Sequence, residues 1–317
     1  MSEERAFNYG GQAVIEGVMM RGSHNVAIAV RDPEGKIVLR EEPINSALYN
    51  GVWSRVPFVR GLGLLWDSLG LGMRALTFSA DVAVGDEAEF SGPVAWGTIA
   101  FSLVLSIGLF FLTPAAAADG LHRLLGFDSA LIGNLIEGLI RLILVIGYIW
   151  LIGRMEDVKR LFAYHGAEHK TINAYEDDAP LTPESVARYP LTHPRCGTGF
   201  LLVVVVISVL VFSVLGRPPL LVRLASRVVL VPVIAGIAYE YIRMLARHIE
   251  RPIARLLVAP QLALQTLTTR EPSADMLEVA ITALERVLEA EHLSTPAIGE
   301  PAPGEQALRC SRANGSG

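Results

Sequence analysis

Four long apolar runs, separated by polar stretches of unequal length, set the plan of this chain. Val94 to Ala118 contains no charge, and Leu131 to Gly153 carries only Glu137 and Arg141. Gly197 to Gly216 is uncharged and reads almost continuously as Leu, Val and Ile. Leu220 to Ala246 is equally apolar in tone but contains Arg223, Arg227, Glu240 and Arg243. About 20 helical residues at 1.5 Å rise cross a hydrocarbon core of about 30 Å. A helix satisfies its own backbone hydrogen bonds there. The runs therefore predict four transmembrane helices. The charges in the fourth require it to face protein or water, or to tilt.

The polar stretches have patterns of their own. Residues 8–42 are extended in character: Ala13-Val14-Ile15, then Val18-Met19-Met20, then an alternating segment from Asn25 to Arg31. Asp32-Pro33-Glu34-Gly35 is a turn signal before Lys36 to Arg40, so the last two segments predict a β-hairpin with an earlier strand beside it. Over 55–78 the period changes, with Phe58, Leu62, Leu65, Trp66, Leu69, Met73 and Leu76 three or four apart. This predicts an amphipathic helix, either lying in the membrane interface or packed on the small β-unit. A further helix over Met155 to Tyr175 carries Val158, Leu161, Phe162, His165, Glu168, His169 and Ile172 on one stripe. Pro180, Pro183 and Pro190 then mark irregular chain. Beyond 247, Pro252 and Pro260 interrupt a basic, apolar stretch suited to the membrane surface. Ser273 can cap a helix presenting Leu277, Ile281, Leu284 and Leu288. From Ser294 the composition is that of a disordered tail.

The fold class expected is therefore mostly α: a polytopic helical membrane protein with a small N-terminal β-hairpin unit and cytoplasmic amphipathic helices. Its segments would be a β-rich unit (1–54), an interfacial helix and linker (55–92) and a four-helix membrane domain (93–246) containing the loop 154–198. Surface helices (247–293) and the tail (294–317) follow.

Composition agrees. The 317 residues are 51% hydrophobic and only 19% charged, with a mean hydropathy of +0.42, which is too apolar for a soluble protein of this length. Residues 1–12 are polar and lack the apolar core of a signal peptide. Arginine and lysine crowd the segment before Val94, the 154–196 loop and the region after 247, whereas the 119–130 loop has only Arg123. The positive-inside rule then predicts a multi-pass protein of the cell membrane with both termini and the 154–196 loop cytoplasmic. Arg217, Arg223 and Arg227 run against it. A net charge of −5 with no aromatic–basic stripe excludes nucleic acid as a partner. The two cysteines, Cys196 and Cys310, are not expected to form a disulfide on the cytoplasmic side.

Candidate chemistry centres on His165-Gly166-Ala167-Glu168-His169. Histidines four apart project from one helical face with Glu168 between them. In the H-x-x-E-H order, two imidazoles hold zinc while the glutamate handles the proton of a water. Three such groups on an otherwise apolar stripe are costly to bury without a partner, and a divalent cation such as Zn2+ is the simplest one. Glu168 is then the catalytic base or an acceptor that orients an imidazole.

His193 and Cys196 lie at the mouth of the third run and can meet the same helix. A set of His165, His169, His193 and Cys196 would be closed and structural, whereas three ligands would leave a position for water. Cys196 as a nucleophile assisted by His193 or His169 is a third reading. Glu240 is the remaining candidate ligand, with an ion pair to Arg243 or Arg154 as its plainer role, and Glu176 is a weaker alternative. Glu137 and Arg141 are spaced as a neutralising i,i+4 pair, or as part of a transport path. Gly10, Gly11 and Gly17 lack any phosphate-loop spacing. Gln12, Glu16 and Arg21 line a site or shape a strand edge, and His24, His122, His248 and His292 read as ordinary surface or interfacial residues.

Three strings together resemble one family: Tyr9 to Gly22 (YGGQAVIEGVMMRG), Tyr164 to Thr171 (YHGAEHKT) and His193 to Thr198 (HPRCGT). Leu267 to Pro272 (LTTREP) fits as well. The chain resembles the YqhQ-like bacterial membrane proteins over roughly residues 8–290. That resemblance implies a polytopic membrane protein with a possible metal site, in a family regarded at most as predicted metal-dependent enzymes. The functions expected are a metal-dependent hydrolase acting on a peptide or lipid-like substrate at the bilayer, a non-catalytic metal-stapled scaffold or assembly factor, or a small transporter.

Overall fold

The computed structural model describes residues 9–44, 56, 58–84, 93–126, 129–215 and 219–294. The tail with Cys310, and the segments around residue 50 and residue 88, lie outside the described residues.

The N-terminal residues form an antiparallel sheet in the order β1 (Gly10–Val14), β2 (Gly17–Arg21), β3 (Asn25–Arg31) and β4 (Ile37–Pro43). The expected hairpin is its second half. The earlier extended segment is itself two strands, because Ile15 and Glu16 turn the chain between Val14 and Gly17, which pair. Glu16 adopts φ 51°, the left-handed conformation that a type II turn places at its second central residue. Both faces are covered at β2 and β3, which is why those two strands are nearly continuous apolar runs, whereas β4 is largely exposed. Val18, Met20, Ala27 and Ala29 form one face. It packs on α5 (Glu156–Glu176) and α10 (Ala274–Ser294). Val14, Met19, Val26, Ile28 and Val30 form the other, against Leu71 and Ala75 of α1 (Val59–Val84).

α1 settles on the β-unit, but through a different stripe from the one its sequence suggests. Leu71, Ala75, Phe78 and Val82 turn to the sheet, while Trp66, Leu69 and Met73 are exposed on the opposite side. Its first turns lean on α8 (Leu220–Arg247).

Among the described residues, four helices are long and apolar enough to cross a membrane: Trp96–Leu125, Leu131–Ile152, Gly197–Leu215 and Ala225–Arg247. The first is α2 (Pro93–Ile107), a five-residue π segment (Gly108–Leu112) and α3 (Thr113–Leu125). It outruns the expected end at Ala118, carrying Asp119, His122 and Arg123 on helix before Gly126 caps it at φ 67°. α4 (Ala130–Ile152), α7 (Gly197–Leu215) and α8 follow, with α4 between α3 and α7, and α7 against α8. A short α6 (Pro183–Val186) sits in the loop after α5. α9 (Pro252–Thr268) packs along α7 and leads back to the sheet through α10. The α/β unit is thus built from both ends of the chain and from α5, inserted between the second and third spans.

Candidate metal centre

α5 starts four residues after α4 ends, with Glu156 and Asp157 in its first turn, where carboxylates favour the positive helix end. It is enclosed on most of its circumference: Tyr164, Ala167, Glu168, His169, Thr171, Ile172 and Ala174 are all buried. Gly166 permits this. A Cβ there would lie 2.1 Å from the Arg270 carbonyl oxygen, and the Arg270 amide in turn donates to Phe162 O at 2.9 Å. The chain after α9 is therefore docked directly on the backbone of the motif helix.

That docking fixes both imidazoles. His165 Nδ1 lies 2.9 Å from Thr268 O and His169 Nδ1 lies 2.6 Å from Leu191 O. A carbonyl oxygen can only accept, so each Nδ1 carries a proton, and the neutral form of each ring has its lone pair on Nε2. The rings stand 4.4 Å apart. His165 Nε2 is 3.2 Å from Cys196 Sγ. His169 Nε2 is buried and has no hydrogen-bond partner among the described residues. One donor atom from each of His165, His169 and Cys196 lies within 4.8 Å of the others. The Thr198 amide, in the first turn of α7, also reaches the sulfur at 3.4 Å.

Of the five expected ligands, these three come together. His193 borders them, its ring 5.9 Å from that of His169. It is held elsewhere: its amide donates to Gln265 Oε1 at 2.9 Å, its carbonyl accepts from Gln265 Nε2 at 2.8 Å, and its Nε2 faces Glu176 at 3.5 Å. Glu176 also pairs with Arg195. Burial holds the His193 imidazole below its ordinary pKa, partly opposed by the charge of Glu168.

Glu240 is not in the cluster, because Arg60 takes both its oxygens at 2.7 and 2.5 Å. Of the two partners expected, Arg243 adds only a weaker electrostatic attraction to that pair, and Arg154 lies over the Trp150 ring. α1 supplies the counter-charge, from a region the periodicity assigned to an interfacial helix.

Glu168 is buried against β1. Burial pushes its carboxyl above the usual range, opposed by His165, His193 and a hydrogen bond from the Gly11 amide. A Cβ on Gly11 would stand 2.8 Å from Glu168 Cγ, so β1 reaches the site only as glycine. Gly11 also lines a cleft of about 190 Å³ with Gln12, Met19, Arg21, Ser68 and Leu71, between the sheet and α1. Glu16 shapes the edge rather than the site: it receives Arg160 Nε at 2.6 Å and Tyr164 Oη at 3.4 Å.

Gln265, Gly11 and the carbonyls of Thr268 and Leu191 are the contributors that spacing did not reveal. The Tyr9–Gly22 and Leu267–Pro272 strings carried traces of Gly11 and Thr268, but a carbonyl partner leaves no mark on residue type.

Two nitrogens and a sulfur suit zinc, and three protein donors leave one position of a tetrahedron open. Imidazoles whose far nitrogen donates to a backbone carbonyl are oriented as metal ligands are.

The fold and this constellation define a class: a polytopic helical membrane protein whose α/β unit carries a His/His/Cys cluster beside a buried carboxylate. Residues 56–290 match the family described as "Protein of unknown function (DUF1385)", and the chain belongs to that family. It is 34% identical over 300 residues to the "Uncharacterized protein YqhQ" of Bacillus subtilis (strain 168), covering 90% of this chain and 94% of that protein. The YqhQ-like family indicated by the motif strings is therefore confirmed. No solved structure matches the chain.

Proposed function

We propose that this protein is a membrane-embedded, metal-dependent hydrolase, with His165, His169 and Cys196 holding a divalent ion of the zinc class. The observation that carries the reading is the pair of Nδ1–H···O=C hydrogen bonds, which leaves both Nε2 lone pairs facing inward and that of His169 buried without a donor. Such an ion, when bound, supplies a Lewis acid and lowers the pKa of water to about 7. Glu168 is the general base. Its raised pKa makes it a stronger base than an ordinary carboxylate, suited to accept the proton of the attacking water and pass it to the leaving group. Gly11 holds that carboxylate in place, and His193 lines the site as a neutral, buried imidazole.

The substrate is a peptide or lipid-like amphiphile taken from the bilayer. The exposed apolar side chains of Ile253 and Leu256 on α9, whose last residue Thr268 holds His165, and of Trp66 and Leu69 on α1, across the sheet from α5, support this, since such faces suit an interface. Loop charges orient the α/β unit and both termini to the cytoplasm of a cell membrane.

A second reading keeps the metal as a staple in a scaffold or assembly factor. It draws support from the cluster joining α5 to the 191–196 segment and the end of α9. The two separate on purified protein in detergent. Bound metal is measured in the parent, in His165→Ala/His169→Ala and in Glu168→Gln, alongside turnover of amphiphilic peptide and lipid esters. Hydrolysis predicts metal lost in the double variant, but metal kept and turnover lost in Glu168→Gln. Metal-free parent protein that also fails to bind added zinc would end both readings.

A further inference from the structure

The membrane bundle holds a second polar constellation, on α4 and α8, toward the end of these helices away from α5. Glu137, Arg141 and Arg227 are each no more than 6% exposed. Arg141 Nη2 donates to Glu137 Oε1 at 2.8 Å, so the expected i,i+4 pair forms, and Arg227 contacts the same oxygen. Arg141 Nε donates to Phe110 O at 3.0 Å, a carbonyl of the π segment. Arg141 lies over the ring of Phe111 and Arg227 over that of Phe212, each 5.4 Å from the centroid. Glu137 and Arg227 each lie seven residues from the first residue of their helix, which places them about 10 Å inside. Arg227, anomalous by the positive-inside rule, is thus a buried partner rather than a loop charge.

The charges do not balance. One carboxylate faces two guanidinium groups, and among the described residues Glu137 is the one carboxylate buried between the spans. Arg227 Nε and Nη1 are buried with no hydrogen-bond partner among the described residues. Asn134 and Ser208, the nearby buried polar side chains, are each bonded to a backbone carbonyl. An uncompensated cation with unmet donors at this depth is strongly unfavourable.

We propose that Arg227, with Arg141, binds a small monovalent inorganic anion of the halide class inside the bundle. One negative charge brings the cluster to neutrality, whereas a dianion overshoots it. The three side chains are almost wholly buried, which favours a small ion over a lipid headgroup. The site is independent of the metal centre and of the proposed hydrolysis.

The test uses full-length protein in nanodiscs of zwitterionic lipid, equilibrated in sodium gluconate and titrated with sodium chloride or bromide at constant ionic strength. Exposed charges are screened equally throughout. Chloride and bromide are expected to raise the melting temperature saturably, by several degrees. Arg227→Met removes the response, and Arg227→Lys retains it with a weaker midpoint. Glu137→Gln, which leaves two cations without a carboxylate, lowers the half-saturating chloride concentration severalfold. If Arg227→Met does not fold, the opposite midpoint shifts of the other two variants decide. Identical melting in gluconate and chloride overturns the proposal. So does an unchanged response in Arg227→Met, or stabilisation by inorganic phosphate or anionic lipid vesicles but not by halide.

Discussion

Gly11 and Glu168 are fitted to one another across the junction of β1 and α5. The Gly11 amide donates to the Glu168 carboxylate, and a Cβ on Gly11 would lie 2.8 Å from Glu168 Cγ and 2.7 Å from Met19 O. Neither the backbone oxygen nor the buried carboxylate can give way freely. Gly11→Ala should therefore displace Glu168 and destabilise the fold by about 1–3 kcal/mol, the usual cost of overpacking. Metal binding should survive, because His165, His169 and Cys196 are positioned by other contacts. Thermal melting and metal stoichiometry of the variant check both halves, and parent-like melting would show that the contact is soft.

Gly166 makes the sharper case. A Cβ at 2.1 Å from Arg270 O cannot be accommodated without separating the chain after α9 from α5. That separation also removes Thr268 O from His165 Nδ1. Gly166→Ala is expected to lose 2 kcal/mol or more, about the upper range for overpacking, and to weaken metal binding as well. This double loss distinguishes it from Gly11→Ala. Denaturant unfolding with a zinc titration measures the two effects on one sample.

The four spans were legible because hydropathy over 20 residues reports burial in lipid directly. The His165–Glu168–His169 stripe was legible because helical spacing puts those side chains on adjoining faces. Glu240 was assigned to the wrong neighbour for the same reason that Arg60 went unnoticed: a long-range pair 180 residues apart has no period to follow. The α1 stripe was misread because both of its faces are apolar, one covered by the sheet and one exposed. His193 sits beside the ligands as its sequence position suggested, but Gln265 and Glu176, distant in sequence, decide where it points.

The two carboxylate and thiol candidates can be separated by stoichiometry. Glu240→Gln breaks a bidentate pair with Arg60 that is about one-fifth exposed. The expected loss is about 1 kcal/mol or less, with metal content unchanged. Cys196→Ser replaces the soft donor of the cluster and should lower zinc affinity by well over tenfold. Full metal in Cys196→Ser together with a deficit in Glu240→Gln would reverse the ligand assignment.

His193 gives a pH signature to the metal-free protein. Burial lowers its pKa below the ordinary histidine value of about 6.5, so between the two the unfolded chain binds more protons than the native one. Native stability should consequently fall as pH drops below about 6.5 and be fully present above it. His193→Gln removes the titrating group and should flatten that part of the curve, leaving the slope from other residues. Urea midpoints of chelated parent and variant across pH 5 to 7.5 make the comparison. Superimposable slopes would mean that His193 is not the buried neutral group.

The exposed face of α1 remains, with Trp66 79% and Leu69 66% exposed while the opposite side of the helix is sealed on the sheet. Two large apolar side chains with Met73 on one stripe of a helix that also leans on a candidate span are expected to lie in the bilayer interface, where tryptophan concentrates. The chain has four tryptophans, so a variant keeping only Trp66 is practical. In vesicles its emission should be blue-shifted and quenched by lipids brominated near the headgroup more than by lipids brominated at the chain end. Trp66→Glu in the parent background should weaken attachment of α1 to the membrane and increase its cleavage by protease, while the spans stay inserted. Water-like emission from Trp66 with no quenching at any depth would remove the interfacial role of α1, and with it the route by which a bilayer substrate would approach Glu168.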